Sequence, residues 1–296
     1  MHMEADQENT AYSVQALEQC TGIPAQELQA KARELSMLRQ GEQGGHIMRI
    51  DLSRFFDAFF QGRHYSLTYR QPAWLSSSQV PWCKALNSAY EDPVSRPASV
   101  SPQQGEFLRS LVVNENPHII VEIGTFLGVS TLWIGGALQD AGQGGKLYSM
   151  DLFQDILPLK NGTRTKCIID PLSIVVQRIR DGGISECVTL VPGDSKQIGQ
   201  NWNEVCGKPI DILYIDGDHS VPGCVGDFEA FYPHLAEGAI IVLHDIFPAN
   251  CSCEGPRFLL DKLARVSGVQ SFELETSPHN FGMAVLKIKA KAAPRA

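Results

Sequence analysis

Short apolar, β-rich runs recur through the middle of the chain, near Ile119, Leu147, Val188, Ile212 and Ile240, and each ends in polar or acidic residues. Between them lie stretches with helical spacing, notably Pro171 to Asp181 and Gly223 to Ala236. This alternation predicts an α/β fold with a doubly wound, mostly parallel sheet. Further on, FELETS and GMAVLKIKA read as two antiparallel strands joined through SPHNF, and KAAPRA as a frayed tail. The residues ahead of the sheet read differently. From about Tyr12 to Gln40 apolar positions recur at helical spacing, with Pro24 suited to the first turn of a second helix. GEQGG, Gly41 to Gly45, reads as a turn or linker, and DLSRFFDAFF as a short amphipathic segment with Asp51 as a cap. Its aromatic residues Phe55, Phe56, Phe59 and Phe60 suit packing in a core or interface. The Pro- and Ser-rich stretch Gln71 to Pro102 reads as a long loop over the carboxyl edge of the sheet. Phe153 to Asp170, carrying Lys160, Arg164 and Lys166, is a long connection, either a mobile substrate loop or a solvated excursion.

The most informative segment is VEIGTFLGVSTLW, Val121 to Trp133. Val121 and Ile123 end a strand, and Glu122, Gly124 and Gly128 give ExGxxxG, with Ser130 and Thr131 in the first helical turns. Glycines let the backbone turn sharply and approach a ligand, and the helix start offers free N–H groups. A dinucleotide fingerprint reads GxGxxG; here Glu122 replaces its first glycine and disfavours a pyrophosphate at close range. A compact cofactor with its own positive charge, such as S-adenosylmethionine, fits better. Downstream, KLYSMDLF places Asp151 where an acidic residue accepts hydrogen bonds from ribose hydroxyls. VTLVPGDS, IDILYIDGDHS and GAIIVLHDI then each carry polar groups to a strand end, the edge at which open α/β sheets bind ligands.

With EIGTFLGVST, YIDGDHS and GAIIVLHDI in place, the segment from about Ser101 to Lys289 resembles a class I methyltransferase, within it the macrocin O-methyltransferase and cephalosporin-hydroxylase-like small-molecule group. The resemblance implies a Rossmann-like sheet of seven strands with a mainly helical N-terminal extension. It divides the chain into residues 1–100, a lid or dimerisation segment; 101–290, the S-adenosylmethionine-binding domain; and a tail, 291–296. It implies that Glu122, Gly124, Thr125, Gly128 and Ser130 surround the methionine part of the cofactor, Asp151 the ribose, and Asp194 with Ser195 the adenine.

Asp216 and Asp245 each follow an apolar strand, so a parallel sheet sets both at one edge, where two oxygen ligands can hold a divalent cation, with His244 beside them. The family's metal there is usually magnesium, held by oxygen ligands alone. Imidazole favours iron, manganese or zinc instead, so His244 either hydrogen-bonds within the core or belongs to a transition-metal site. His219, three residues after Asp216, matches the family's DxxH pattern and suits a base that takes the acceptor's proton; otherwise it caps the helix near Pro222, with Asp218 a turn residue.

Composition narrows the class. The chain has 296 residues, is 43% hydrophobic and carries a net charge of −8, with no basic stripe for nucleic acid and no apolar run of membrane length. MHMEADQENT lacks the regions of a signal peptide, so a cytoplasmic location is the default. The eight cysteines are scattered and suit reduced thiols; Cys251 and Cys253, close behind Asp245, form a substrate-facing or flexible loop or bring thiolates near a metal. The sum is a metal-assisted O-methyltransferase acting on a hydroxyl of a small natural-product-like molecule, as a homo-oligomer. A His/carboxylate iron oxygenase and a non-catalytic cofactor-binding protein are the alternatives.

Overall fold

The computed structural model describes residues 10–41, 44–60, 69–160, 166–276 and 281–288. The SPHNF turn but for its last residue, the KAAPRA tail, Arg164 and the first nine residues lie outside them. The chain forms two compact units, and each is discontinuous in sequence. One comprises residues 1–68, 92–98 and 154–173; the other comprises residues 69–91, 99–153 and 174–296.

The first unit holds a small antiparallel sheet of β1 (Ala11–Ser13), β2 (Arg39–Gly41) and β3 (Gly44–Met48), in the order β1-β3-β2. Of Gly41 to Gly45, expected as a turn or linker, the described residues Gly41, Gly44 and Gly45 lie on the paired strands β2 and β3. The helix Val14–Thr21 starts on the Ser13 side chain, which accepts the Ala16 N–H, and ends at Gly22 with φ +70°. Pro24 precedes the helix Ala25–Glu34. The helix Leu52–Phe60 buries Leu52, Phe55 and Phe56 against Val14, Leu17, Leu28 and Ile47. The long connection from the second unit is not a solvated excursion in its described part. Ile156 bridges Ile168, and Leu157 and Cys167 enter the same core. Arg49 donates Nε to Asp155 Oδ2 at 2.6 Å and Nη2 to Oδ1 at 2.5 Å, while Tyr12 Oη donates to Oδ2 at 2.9 Å.

The second unit is built on a seven-stranded sheet of β4 (Ile119–Ile123), β5 (Lys146–Asp151), β6 (Val188–Pro192), β7 (Ile210–Ile215), β8 (Leu235–His244), β9 (Val269–Leu274) and β10 (Met283–Ile288). The order is β6-β5-β4-β7-β8-β10-β9, with β4 to β8 parallel and β10 antiparallel to both neighbours. Every residue of β4 is buried, and alternate side chains feed two cores on opposite faces. Ile120, Ile212, Tyr214 and Val242 pack with Trp82, Trp133 and Leu108; Val121, Ile123, Leu213 and Leu243 pack with Phe228, Phe231 and Leu259. The stretch expected as a long loop is instead helical at Ala73–Ser77 and Pro81–Glu91, in this unit, and at Ser95–Ala98, in the first. Two of its prolines open helices rather than break them: Pro72 precedes the first and Pro81 begins the second. Ser101 then caps the helix Pro102–Glu115 through a capping box with Gln104. No described helix is long and apolar enough to cross a membrane.

Candidate functional site

β4 is where the sheet changes winding direction, with β5 on one side and β7 on the other, and such a switch point opens a crevice at the carboxyl ends of the strands. The chain leaves β4 through Gly124, which donates its N–H to the Met150 carbonyl at 2.9 Å. Gly124 has φ +94°, and a β-carbon on it would lie 2.1 Å from the Asp216 carbonyl oxygen. The turn ends at Gly128, φ +79°, and the helix Val129–Ala141 follows.

The residues assigned to the cofactor lie along this turn and the next two strand ends, several with contacts of their own. Glu122 is fully buried. Its Oε2 accepts from Thr131 Oγ1 at 2.6 Å and Ser149 Oγ at 2.5 Å, and among the described residues its Oε1 has no hydrogen-bond partner. Burial pushes its carboxyl up to about 7, against the pull of the Ser130, Ser149 and Thr131 hydroxyls. Thr125 Oγ1 lies 2.6 Å from Ser149 Oγ. Asp151 ends β5 and accepts the backbone N–H groups of Phe126 and Phe153, each at 2.8 Å. Both phenylalanines have φ +49°, so this carboxylate braces two strained corners of the crevice. Asp194 caps the short helix Ser195–Gln200, and Ser195 Oγ donates to the buried Asp227 at 2.6 Å.

Across the crevice, four side chains from the ends of β7 and β8 converge. His219 Nε2 is 3.3 Å from Asp216 Oδ1 and 3.0 Å from Asp245 Oδ2. His244 Nδ1 is 3.3 Å from Asp216 Oδ1 and 3.0 Å from Asp245 Oδ1. His244 is 2% exposed, yet among the described residues neither ring nitrogen makes a hydrogen bond of good geometry, and Asp245 Oδ1 makes none either. The imidazole therefore faces the carboxylates instead of bonding into the core. Asp245 has φ +58°, a costly backbone for a non-glycine residue that turns its carboxylate back toward β7.

Burial disfavours charge on Asp216 and Asp245, but the His244 and His219 cations outweigh it and hold both carboxyls below the usual range. Burial likewise opposes protonation of both imidazoles. The two carboxylates prevail, taking His219 to about 10 and His244 well above its ordinary value. His219 does not cap the following helix. Ser220 does, through a bond from the Gly223 N–H, and Asp218 accepts the Ser220 N–H as a turn residue.

Tyr214 was not singled out from sequence; its buried hydroxyl donates to Asp216 Oδ2 at 2.9 Å. It lies two residues before Asp216, the strand repeat that puts both on one face. Ser149 was also missed, although a serine inside the apolar run LYSMD marks a buried hydroxyl. Cys251 Sγ points to the Asp245 and Phe247 carbonyls, while Cys253 Sγ donates to the Cys251 carbonyl at 3.3 Å and lies 4.0 Å from Asp245 Oδ2.

The strand order, the acid-glycine turn after the first core strand and the antiparallel β10 inserted before β9 define the class I methyltransferase fold. Within it, residues 121–246 match the family model described as a methyltransferase domain. A catechol O-methyltransferase of Niastella koreensis is 29% identical over 122 residues, 40% of this chain and 46% of that protein. A rhamnosyl O-methyltransferase of Mycobacterium leprae is 26% identical over 137 residues, 46% of this chain and 52% of that protein. The chain thus spans about half the length of the curated relatives it matches. Among solved structures, the O-methyltransferase TomG of Streptomyces achromogenes, in complex with S-adenosylmethionine, shares the fold with a TM-score of 0.55 and 18% identity, over 82% of this chain and 99% of that one.

Proposed function

We propose that the protein is an S-adenosylmethionine-dependent O-methyltransferase that uses a divalent cation and acts on a small acceptor with neighbouring hydroxyls. The observation that carries this reading is the meeting of Asp216, His219, His244 and Asp245 at the carboxyl edge, one backbone contact away from the Gly124 turn. Relatives named for catechol and rhamnosyl acceptors support the choice of acceptor, since both groups present adjacent hydroxyls.

The residues fit both groups. For the cofactor, Gly124 lets the turn pack against the Asp216 backbone, the buried Glu122 has an oxygen without a hydrogen bond among the described residues, and Asp151 stands at the end of β5. For the cation, Asp216 Oδ1, His244 Nδ1 and Asp245 Oδ1 lie about 3 Å from one another along the measured pairs, near the spacing of donors that share one ion at about 2 Å each. Asp216, His244 and Asp245 would hold it. Magnesium is the expectation from the family resemblance, and the imidazole donor favours manganese or iron.

Bound here, S-adenosylmethionine would supply an electrophilic methyl group on a sulfonium, and a cation held by Asp216, His244 and Asp245 would supply positive charge for the acceptor oxygen. The protein's own part is positioning and proton transfer. As the carbon–oxygen bond forms and the carbon–sulfur bond breaks, the hydroxyl proton passes to His219 Nε2. Asp216 and Asp245 favour His219 as an imidazolium, and a cation held by these carboxylates would offset their pull and bring the imidazole back toward the range of a base. The test is turnover of S-adenosylmethionine with catechol and methyl rhamnoside, with and without manganese or magnesium. Metal-dependent release of S-adenosylhomocysteine with at least one acceptor is expected; equal turnover after chelation would remove the cation from the reading.

A further inference from the structure

Asp245 faces two sets of donors. Its Oδ1 is turned to His244 and Asp216, while its Oδ2 lies 3.0 Å from His219 Nε2 and 4.0 Å from Cys253 Sγ. The second trio has one nitrogen, one oxygen and one sulfur, all within 4.8 Å of each other. We propose that His219, Asp245 and Cys253 form a second cation site, which takes a thiophilic divalent ion such as zinc, and that filling it withdraws His219 from proton transfer.

The sulfur separates the two sets. Both offer an imidazole and carboxylate, but only the second adds a thiolate, the donor that magnesium and manganese bind poorly and that zinc binds together with imidazole and carboxylate in a tetrahedron. Donors of one zinc ion sit about 3 to 4 Å apart, so the trio needs only a small closure toward a shared centre. Three protein donors leave the fourth position open for water.

The trio is also held by the fold. Ser252, at φ +59°, turns the chain so that Cys253 stands at the start of the helix Glu254–Leu263. The next residue but one, Gly255, donates its N–H to the His219 carbonyl at 3.0 Å. A β-carbon on Gly255 would lie 2.4 Å from the Ser220 carbonyl oxygen and 2.6 Å from that of His219. Only a glycine lets the helix start approach the β7 loop this closely, and that approach brings Cys253 beside His219. Cys251 takes no part, because its thiol reaches only the Asp245 and Phe247 carbonyls; the Cys253 thiol, which bonds the Cys251 carbonyl at 3.3 Å, also lies beside the Asp245 carboxylate and has to rotate from that carbonyl to bind.

Binding releases the Cys253 thiol proton to solvent and occupies the Nε2 lone pair of His219. That same lone pair receives the acceptor's proton in the proposed reaction, so a zinc-filled trio blocks the base. The blocking claim rests on the methyltransferase reading; the binding claim does not.

The test uses the full chain, titrated with cobalt(II) in place of zinc. A thiolate-to-cobalt charge-transfer band is expected in the unmodified protein and in Cys251→Ser, absent from Cys253→Ser and Cys253→Ala, and removed by excess zinc. No thiolate band, or a band that survives both Cys253 substitutions, overturns the site. Zinc is also expected to shift the His219 imidazole resonances in nuclear magnetic resonance spectra; unshifted resonances overturn its role as a ligand. In turnover, Cys253→Ser should raise the zinc concentration for half-inhibition at least about tenfold. Zinc that fills the trio while turnover continues unchanged overturns the withdrawal of His219. A chain that gives the cobalt band but never turns over S-adenosylmethionine keeps the cation site and loses the methyltransferase reading.

Discussion

Gly124 and Asp216 meet backbone to backbone: the Asp216 carbonyl oxygen occupies the place where a β-carbon on residue 124 would be. The Asp216 N–H also bonds the Ile123 carbonyl at 2.8 Å. The turn proposed to hold the cofactor and the loop proposed to hold the cation are thus one mechanical piece, and a displacement of either moves the other.

Gly124→Ala should therefore disturb both halves at once. The added carbon meets backbone, which cannot rotate aside, at a φ of +94° that alanine rarely adopts. A loss of about 2–4 kcal/mol in unfolding free energy is expected, measured by urea denaturation. Manganese affinity should fall along with affinity for S-adenosylhomocysteine, although residue 124 is a ligand of neither.

Glu122 gives a pH signature. Its folded carboxyl stands near 7, above its ordinary value, so between the two values the folded state holds a proton that the unfolded state has released. Stability must then fall as pH rises through this window, by about 3 kcal/mol in all. Glu122→Gln removes the titrating group. Urea midpoints of the variant and the parent should draw apart in the variant's favour from pH 5 to pH 8; parallel curves would show that Glu122 is ionised in the folded chain throughout.

In the first unit, Arg49 and Asp155 form a bidentate pair with side chains 16% and 3% exposed. Arg49→Met leaves the Asp155 carboxylate buried with Tyr12 and the Asp170 N–H as its remaining partners. A loss of about 3–5 kcal/mol in the stability of this unit is expected. It should appear as faster amide hydrogen exchange in residues 154–160 and 10–21. Burial works against the Asp155 charge, but Arg49 prevails and holds the carboxyl below the usual range. The contribution is therefore complete at neutral pH and is lost only as acid takes the pH down through that depressed value.

His219 links charge to cation. In chelated protein it should remain an imidazolium at pH 8, because Asp216 and Asp245 raise it to about 10. With manganese or magnesium bound it should titrate nearer neutrality, which a diamagnetic magnesium sample can show by the carbon shifts of the ring. His219→Gln should lower kcat by about 10²- to 10⁴-fold and leave S-adenosylhomocysteine affinity unchanged.

The sheet was legible because each core strand is a continuous apolar run, buried on both faces, with its polar residues at one end. The four converging side chains were legible for the same reason: a parallel sheet collects its strand ends at one edge. Two segments misled. Pro72 and Pro81 look like loop residues by composition, yet both sit where a proline favours a helix start. Asp155 gave no local signal of burial because its partners Arg49 and Tyr12 lie more than a hundred residues earlier. Glu122 was legible as an acid in the motif. Its hydroxyl shell was not, since Ser149 reaches it from the neighbouring strand.

Cofactor binding underlies every role proposed for the crevice, and isothermal titration of the purified protein with S-adenosylhomocysteine tests it most directly. One molecule bound per chain, with affinity reduced in Gly124→Ala and Asp151→Ala, is the predicted result. A folded protein that shows no heat and no binding would contradict it.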